Sequence, residues 1–402
     1  MTATTPSILD DPAFLTGDRH AGYRAMRDAG AVLVVGDPDH PTHVLTRYAD
    51  TQAVLRDTTG RVQPEGQDAP PWMAPGPARR RLRANMVQTD RPIHTRLRGV
   101  VAPLFTARQV EKLRAAAAAE VADELGALTA AGGRFDAVSQ LAARVPRGVL
   151  RLLIGMPDED WDSLLRTQID FLMIFSPFPL DAERHARLDE VSQFYFDYFD
   201  GLLGRTTAPT DLVRRLLDAE AQGELSRDEV LSLMHTVLDA GFETTRTSIA
   251  NVVELFATVP GLLDAVRGDP ALVTPMVEET LRLRAPVQVI PRILTAPFTA
   301  SDGTTVPAGA TTLCALGSAN LDERTFDEPE RVDLHRPNAA RHLAFGGGLH
   351  HCLGAPLARI QLQETITGLA RHATQIAPDG PSERFGSLMF PSLATLPVRL
   401  SS

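Results

Sequence analysis

Through the middle of this chain apolar positions recur three and four residues apart, the spacing of amphipathic helices. The pattern predicts helices over 110–130, 159–175, 181–203, 211–221 and 226–258, so the stretch from about 106 to 270 reads as helical. Near the start, a short helix over 21–29 leads into AVLVV and THVLTRY, two strand-like runs parted by the turn-rich GDPDHP, which predicts a hairpin. Between 287 and 315 the pattern changes to short β-branched runs broken by Pro and Gly, VQVIPRIL, PFTASDGTTVPAG and ATTLCAL, a small β-region. The following stretch, GSANLDERTFDEPERVDLHRPNAARHLAF, is too polar and too Pro-broken for either element, and a last helix is predicted over 353–371. No internal repeat interrupts this order.

Composition narrows the class. With 402 residues, 44% of them hydrophobic, the chain can bury a large core, and no linker-like stretch divides it. One large domain, 1–402, is expected, mainly α with a smaller β-rich portion. No apolar run reaches the roughly 20 residues that cross a bilayer. The first residues lack the basic start and apolar core of a signal peptide, so a cytoplasmic chain without membrane contact is expected. A net charge of −10 and a pI near 5.6 argue against nucleic acid as a partner. The short basic run Arg79, Arg80, Arg81 and Arg83 is the exception, and it reads as a solvated loop or helix face. The two cysteines, Cys314 and Cys352, exclude a four-cysteine zinc or iron–sulfur site.

Candidate chemistry concentrates in FGGGLHHCLGAPLAR, residues 345–359. A lone cysteine after a glycine-rich turn and before a helix can accept hydrogen bonds from free backbone N–H groups and feels the positive helix end, both of which favour a thiolate. Gly346, Gly348 and Gly354 are read as supplying positive φ and close backbone approach. Neither a phosphate-loop pattern nor a second ligand cluster for zinc accompanies them. In the long helix, Ser226 and Glu229 form a capping box, and Gly241, Glu243, Thr244 and Thr245 are expected to interrupt the helix midway. Gly costs about 1 kcal/mol relative to Ala there, and the Thr244 hydroxyl can bond the Ala240 carbonyl and bend the ladder. On the residues alone, Gly241 as a close packing contact and Glu243 as a buried ion-pair partner stay equally open. Glu279 and Arg282 lie at i,i+3 within EETLR, by themselves an ordinary surface pair. In DRPIHTRLRGVV, His94 and Arg98 lie at i,i+4, where two donors can hold one carboxylate.

Residues 345–359 resemble the haem-binding signature of the cytochrome P450 family at every fixed position: Phe345, Gly346, Gly348, His350, Cys352, Gly354, Leu357, Ala358 and Arg359. AGFETT resembles the family's A-G-x-[DE]-T-T, with Phe242 where bacterial members often carry His, and EETLR resembles its E-x-x-R. DRPIHTRLR is similar to D-P-P-x-H-T-R-L-R, departing at Arg91. The resemblance covers essentially the whole chain. It implies a mostly helical fold with a smaller β-rich portion, and haem b (iron protoporphyrin IX) with Cys352 as its axial thiolate. It further implies propionate contacts from His94, Arg98, Arg292 and His350, and haem contacts from Phe345, Gly346, Gly354, Ala240 and Gly241. Thr244 would then hydrogen-bond dioxygen and its water while Glu243 feeds protons to them. Arg336, with Arg331 as the alternative, would close the Glu279–Arg282 ion pair.

The activity so implied is insertion of one oxygen atom of O2 into a small molecule of secondary metabolism or catabolism, the thiolate favouring O–O cleavage. Electrons from NAD(P)H would arrive through ferredoxin reductase and ferredoxin, because the chain carries no flavin or nicotinamide fingerprint. Oxidative coupling or ring formation, peroxygenation, and non-catalytic haem binding are the alternatives. By the same resemblance Trp72, Met73, Met86, Phe171, Phe175, Val237, Val289, Ile290, Met389 and Phe390 surround the substrate, which favours a largely apolar molecule, although each equally suits core packing. A monomer is expected.

Overall fold

In a computed structural model of the chain, which describes residues 9, 11–37, 40–57, 59–64, 66–176 and 178–401, the helical patterns become helices close to where the spacing puts them. Arg114–Ala130, Trp161–Phe171, Ala182–Arg205, Asp211–Ala221, Arg227–Thr258, Val273–Leu283 and Ala355–His372 are α-helical. A further helix, Arg144–Ile154, follows a π-helical turn at Val138–Ala142. Pro146 hides that helix in the sequence, yet it sits in the first turn, where a missing N–H costs nothing. Among the described residues no single helix is long and apolar enough to cross a membrane.

The hairpin forms as Val32–Asp37 against His40–Leu45, antiparallel; residues 38 and 39 of its turn lie outside the described residues. His40–Leu45 then pairs in parallel with Thr311–Ala315, which pairs antiparallel with Val289–Leu294. A second sheet joins Arg134–Asp136, Pro397–Ser401 and Gln375–Pro378, segments so distant in sequence that no local pattern announces them.

Contacts divide the chain into two compact units, each discontinuous in sequence. One comprises Met1–Gly60, Arg114–Pro146 and Thr244–Ser402. The strands just named lie in it, and one of its apolar clusters brings Val121, Leu125, Ile249, Val253, Val277, Leu362 and Ile366 together. The other comprises Arg61–Leu113 and Arg147–Glu243, with Trp161, Leu188, Tyr195, Phe199 and Leu216 buried.

Two expectations need correction. The helix Arg227–Thr258 runs without a break through Gly241 and Thr245. A Cβ on Gly241 would lie 2.9 Å from Leu150 Cδ2, so the glycine is a close-approach residue at which the helix meets a neighbour, and no kink is needed. The capping box is present, with the Ser226 amide donating to Glu229 at 2.8 Å and the Glu229 amide donating to Ser226 Oγ at 3.3 Å.

The basic run is a solvated face except at Arg81, and its charges are paired. In the helix Pro77–Arg83, Arg79 and Arg83 pair with Asp68, and Arg80 grips Asp228 with two bonds of 2.6 Å. Arg81 is buried against Asp239. Acidic side chains of the same unit neutralise the run.

Candidate functional site

The cysteine turn in the first unit is built from its backbone. The Cys352 amide donates to the Phe345 carbonyl at 2.9 Å, the Gly346 amide to Leu343 at 2.8 Å and the His351 amide to Gly348 at 3.2 Å. Gly348 has φ +61°, and a Cβ there would fall 2.3 Å from the Leu55 carbonyl oxygen, so no L side chain fits. Gly346 is likewise left-handed at φ +68°. Gly354 is not: its φ is −79°, because it already occupies the position that opens the helix Ala355–His372. Gly354 brings no side-chain acceptor to that helix end, and Pro356 follows in the first turn, so the first-turn amides keep their partial positive charge beside Cys352.

The thiol itself is exposed. The second cysteine behaves in the opposite way: Cys314 is buried in the strand Thr311–Ala315, and burial, against the opposing pull of Arg292, pushes its thiol up to about 12. Of the two, only Cys352 stands where an external group can reach its sulfur.

Behind the turn, Arg359 lies 4.6 Å from the Phe345 ring centre and binds Glu278 with two bonds of 2.6 and 2.9 Å. His342 Nε2 stands 3.2 Å from the same carboxylate. Burial alone would raise the Glu278 carboxyl, but the Arg359 fork and His342 outweigh it and hold it down at about 2. The folded value lies below the ordinary 4.5, so the stabilisation is complete above the unfolded value and is lost as pH falls through about 2. We therefore expect Glu278→Gln to flatten the acid limb of the stability curve between about pH 5 and 2, measured by urea unfolding at successive pH values.

On the neighbouring helix Glu279 and Arg282 are wholly buried and joined by two bonds of 2.7 Å. Arg336 donates to Glu279 at 3.1 Å, whereas the exposed Arg331 side chain pairs with Glu328 and Asp333 and contributes only its carbonyl to the cluster. Arg292 is buried on the strand Val289–Leu294, with Val289 buried and Ile290 half-buried beside it. Met389 is buried and Phe390 half-buried; the Met389 carbonyl accepts from the Gln288 amide at 2.9 Å.

In the second unit His94 is buried and Arg98 half-buried on the helix Ile93–Val101. Trp72 meets His185 edge to face at 6.3 Å, Met73, Met86 and Val237 are buried, and Phe175 is half-buried. Phe171 ends the helix Trp161–Phe171, and its side chain lies outside the described residues. A cleft of about 410 Å³ in this unit is lined by charges, among them Arg61, Arg80, Asp90, Asp228 and Glu229, and by none of the apolar residues named for the substrate.

The long helix supplies the other distinctive feature. From Val230 to Phe256 every residue is buried except Ala240, Gly241, Thr244 and Arg246. Ala240, Gly241 and Thr244 fall at i, i+1 and i+4, hence on one side, and Glu243 beside them is buried. Within the first unit the donor set fits a haem: an exposed thiol at a polarised helix start, with Arg292 and His350 as cationic or donor groups; the second unit, by itself, offers His94 and Arg98.

Sequence reasoning missed Glu278 with His342, and the buried Arg81, Asp239 and His235. The available signal was His235, Asp239 and Glu243 repeating every four residues in an otherwise apolar run.

Comparison with known proteins agrees with this geometry. Residues 19–374 match the family described as Cytochrome P450. The chain is 32% identical to cytochrome P450 monooxygenase PikC of Streptomyces venezuelae, over 99% of this chain and 95% of that protein. It is 37% identical to mycinamicin IV hydroxylase/epoxidase of Micromonospora griseorubida, over 80% of each chain. Among solved structures, myxobacterial cytochrome P450 CYP267B1 in complex with myristic acid is similar at a TM-score of 0.85 and 31% identity, covering 99% of both chains. The chain belongs to the cytochrome P450 family of haem-dependent monooxygenases.

Proposed function

We propose that the protein inserts one oxygen atom of O2 into a largely apolar small molecule of secondary metabolism or catabolism. The haem is haem b, and the electrons come from NAD(P)H through a ferredoxin reductase and a ferredoxin. The observation that carries this reading is the exposed Cys352 thiol held by a left-handed glycine turn at the start of an 18-residue helix.

When bound, haem supplies O2 activation at an iron whose potential and electron density the thiolate tunes. The chain's residues do the rest. Cys352 holds the iron, and Phe345, Gly346 and Gly354 shape the turn that shelters its sulfur. His94, Arg98, Arg292 and His350 neutralise the propionates with charge-assisted hydrogen bonds. Ala240 and Gly241 keep the helix surface thin, the Thr244 hydroxyl positions dioxygen and an accompanying water, and the Glu243 carboxyl holds the proton that Thr244 passes on.

Trp72, Met73, Met86, Phe171, Phe175, Val237, Val289, Ile290, Met389 and Phe390 orient the substrate and exclude water. A lining of this kind favours an apolar molecule. Myristic acid in CYP267B1 supports an apolar substrate, and the names monooxygenase and hydroxylase/epoxidase carried by PikC and the mycinamicin enzyme support oxygen insertion.

Thr244→Ala tests the oxygen-handling part. Product formed per NAD(P)H should fall about a hundredfold, at the low end of a positioned proton donor's contribution, with hydrogen peroxide rising to match. Coupling equal to the parent enzyme would remove Thr244 from the proton path.

A further inference from the structure

We infer that Asp239 supplies protons to Glu243 from a buried Arg81–Asp239–His235 triad one helical turn before the Glu243–Thr244 pair. The inference rests on the reading of Glu243 as the proton donor to Thr244, and deepens it.

His235, Asp239 and Glu243 are spaced by four on one side of the helix Arg227–Thr258, and all three are buried, at 1%, 4% and 5% exposure. His235 Nε2 lies 2.9 Å from Asp239 Oδ2, so the two groups are in direct contact. Arg81 Nη2 is 3.5 Å from the same oxygen. Asp239 Oδ1 has no hydrogen-bond partner among the described residues. The His235 ring is stacked on Tyr195 at 3.7 Å between centres.

Such a cluster is a poor way to hold helices together. One long contact to a guanidinium repays little of the cost of burying a carboxylate, and an apolar side chain at position 239 would pack without that cost. Ionisable groups placed this way are found where chemistry needs them.

The charged and titratable groups around Asp239 are Arg81 from the helix Pro77–Arg83, Tyr195 from Ala182–Arg205, and His235 and Glu243 from its own helix. Burial raises the Asp239 carboxyl well above its usual range; Arg81 opposes this, and Glu243 adds to it once it has given up its proton. Burial, aided by Arg81, drives His235 well below its usual value, so its ring is neutral beside Asp239. Tyr195 is raised by burial and keeps its proton.

The transfer balances simply. Once Glu243 has released its proton, the Asp239 carboxyl gives one to the Glu243 carboxylate, about 5–6 Å away between Cβ atoms. Asp239 becomes a carboxylate held by Arg81 and is reset by one proton from water. No electron moves and no other bond breaks. Asp239 acts through Glu243 and is a positioning residue.

The test uses the haem-loaded protein. Its infrared spectrum at pH 7 should contain a protonated-carboxyl C=O band that shifts in D2O and is lost in Asp239→Asn. In turnover, Asp239→Asn should lower product per NAD(P)H about tenfold and raise the solvent isotope effect, while Asp239→Glu restores both. Asp239→Leu, which keeps the packing, should behave like Asp239→Asn.

A parent spectrum lacking the band, or Asp239→Leu with parental coupling and isotope effect, overturns the inference. A carbon monoxide spectrum typical of haem-thiolate accompanying that result leaves the wider reading standing. Parental coupling in Glu243→Gln would instead overturn the reading on which the inference rests.

Discussion

Cys352→His removes the thiolate spectrum of the reduced carbon monoxide complex and lowers turnover on the order of a thousandfold, about 4 kcal/mol of barrier. An imidazole still coordinates iron, so part of the haem should be retained, but it lacks the electron donation that favours O–O cleavage. The setting makes the effect specific to this position. The turn is closed by the Cys352 amide bonding Phe345, and Gly348 leaves no room for a Cβ against Leu55. The same substitution at Cys314, buried within a strand, would disturb packing and leave the spectrum of correctly folded protein unchanged. A thiolate spectrum in Cys352→His would reject Cys352 as the ligand.

The second large effect is on stability. Glu279 and Arg282 are both fully buried, and Arg336 shares the Glu279 carboxylate. Glu279→Ala leaves two guanidinium groups buried without their counter-ion, and removing one partner of a buried pair costs roughly 3–5 kcal/mol. That is a large share of the 5–15 kcal/mol typical of a folded domain. We expect the urea midpoint to fall accordingly, or the protein to accumulate unfolded. Arg331→Ala, which deletes an exposed side chain, should change stability by no more than about 0.5 kcal/mol. Equal effects at the two positions would contradict the assignment of Arg336 as the buried member.

Much of the architecture was legible because it is local. Long amphipathic runs, the capping box at Ser226 and Glu229, and the glycine-flanked cysteine each carry their signal within one helix or turn. The sheet joining Arg134–Asp136 to Pro397–Ser401 was invisible, since its pairing spans most of the chain and its strands are short. The break expected at Gly241 failed because propensity is a weak prior: contact with Leu150 explains the glycine without a kink. Arg81 was misread for a related reason, as a charge run says nothing about which member meets a buried carboxylate. The apolar residues named for the substrate are buried or half-buried where described, and burial alone does not separate a pocket wall from a core.

A haem held by the Cys352 thiolate is tested most directly by the carbon monoxide difference spectrum of the dithionite-reduced protein. We expect a strongly red-shifted Soret band, present in the parent chain and absent in Cys352→His. A band at the position typical of histidine-ligated haem, or a protein that takes up no haem, would contradict it.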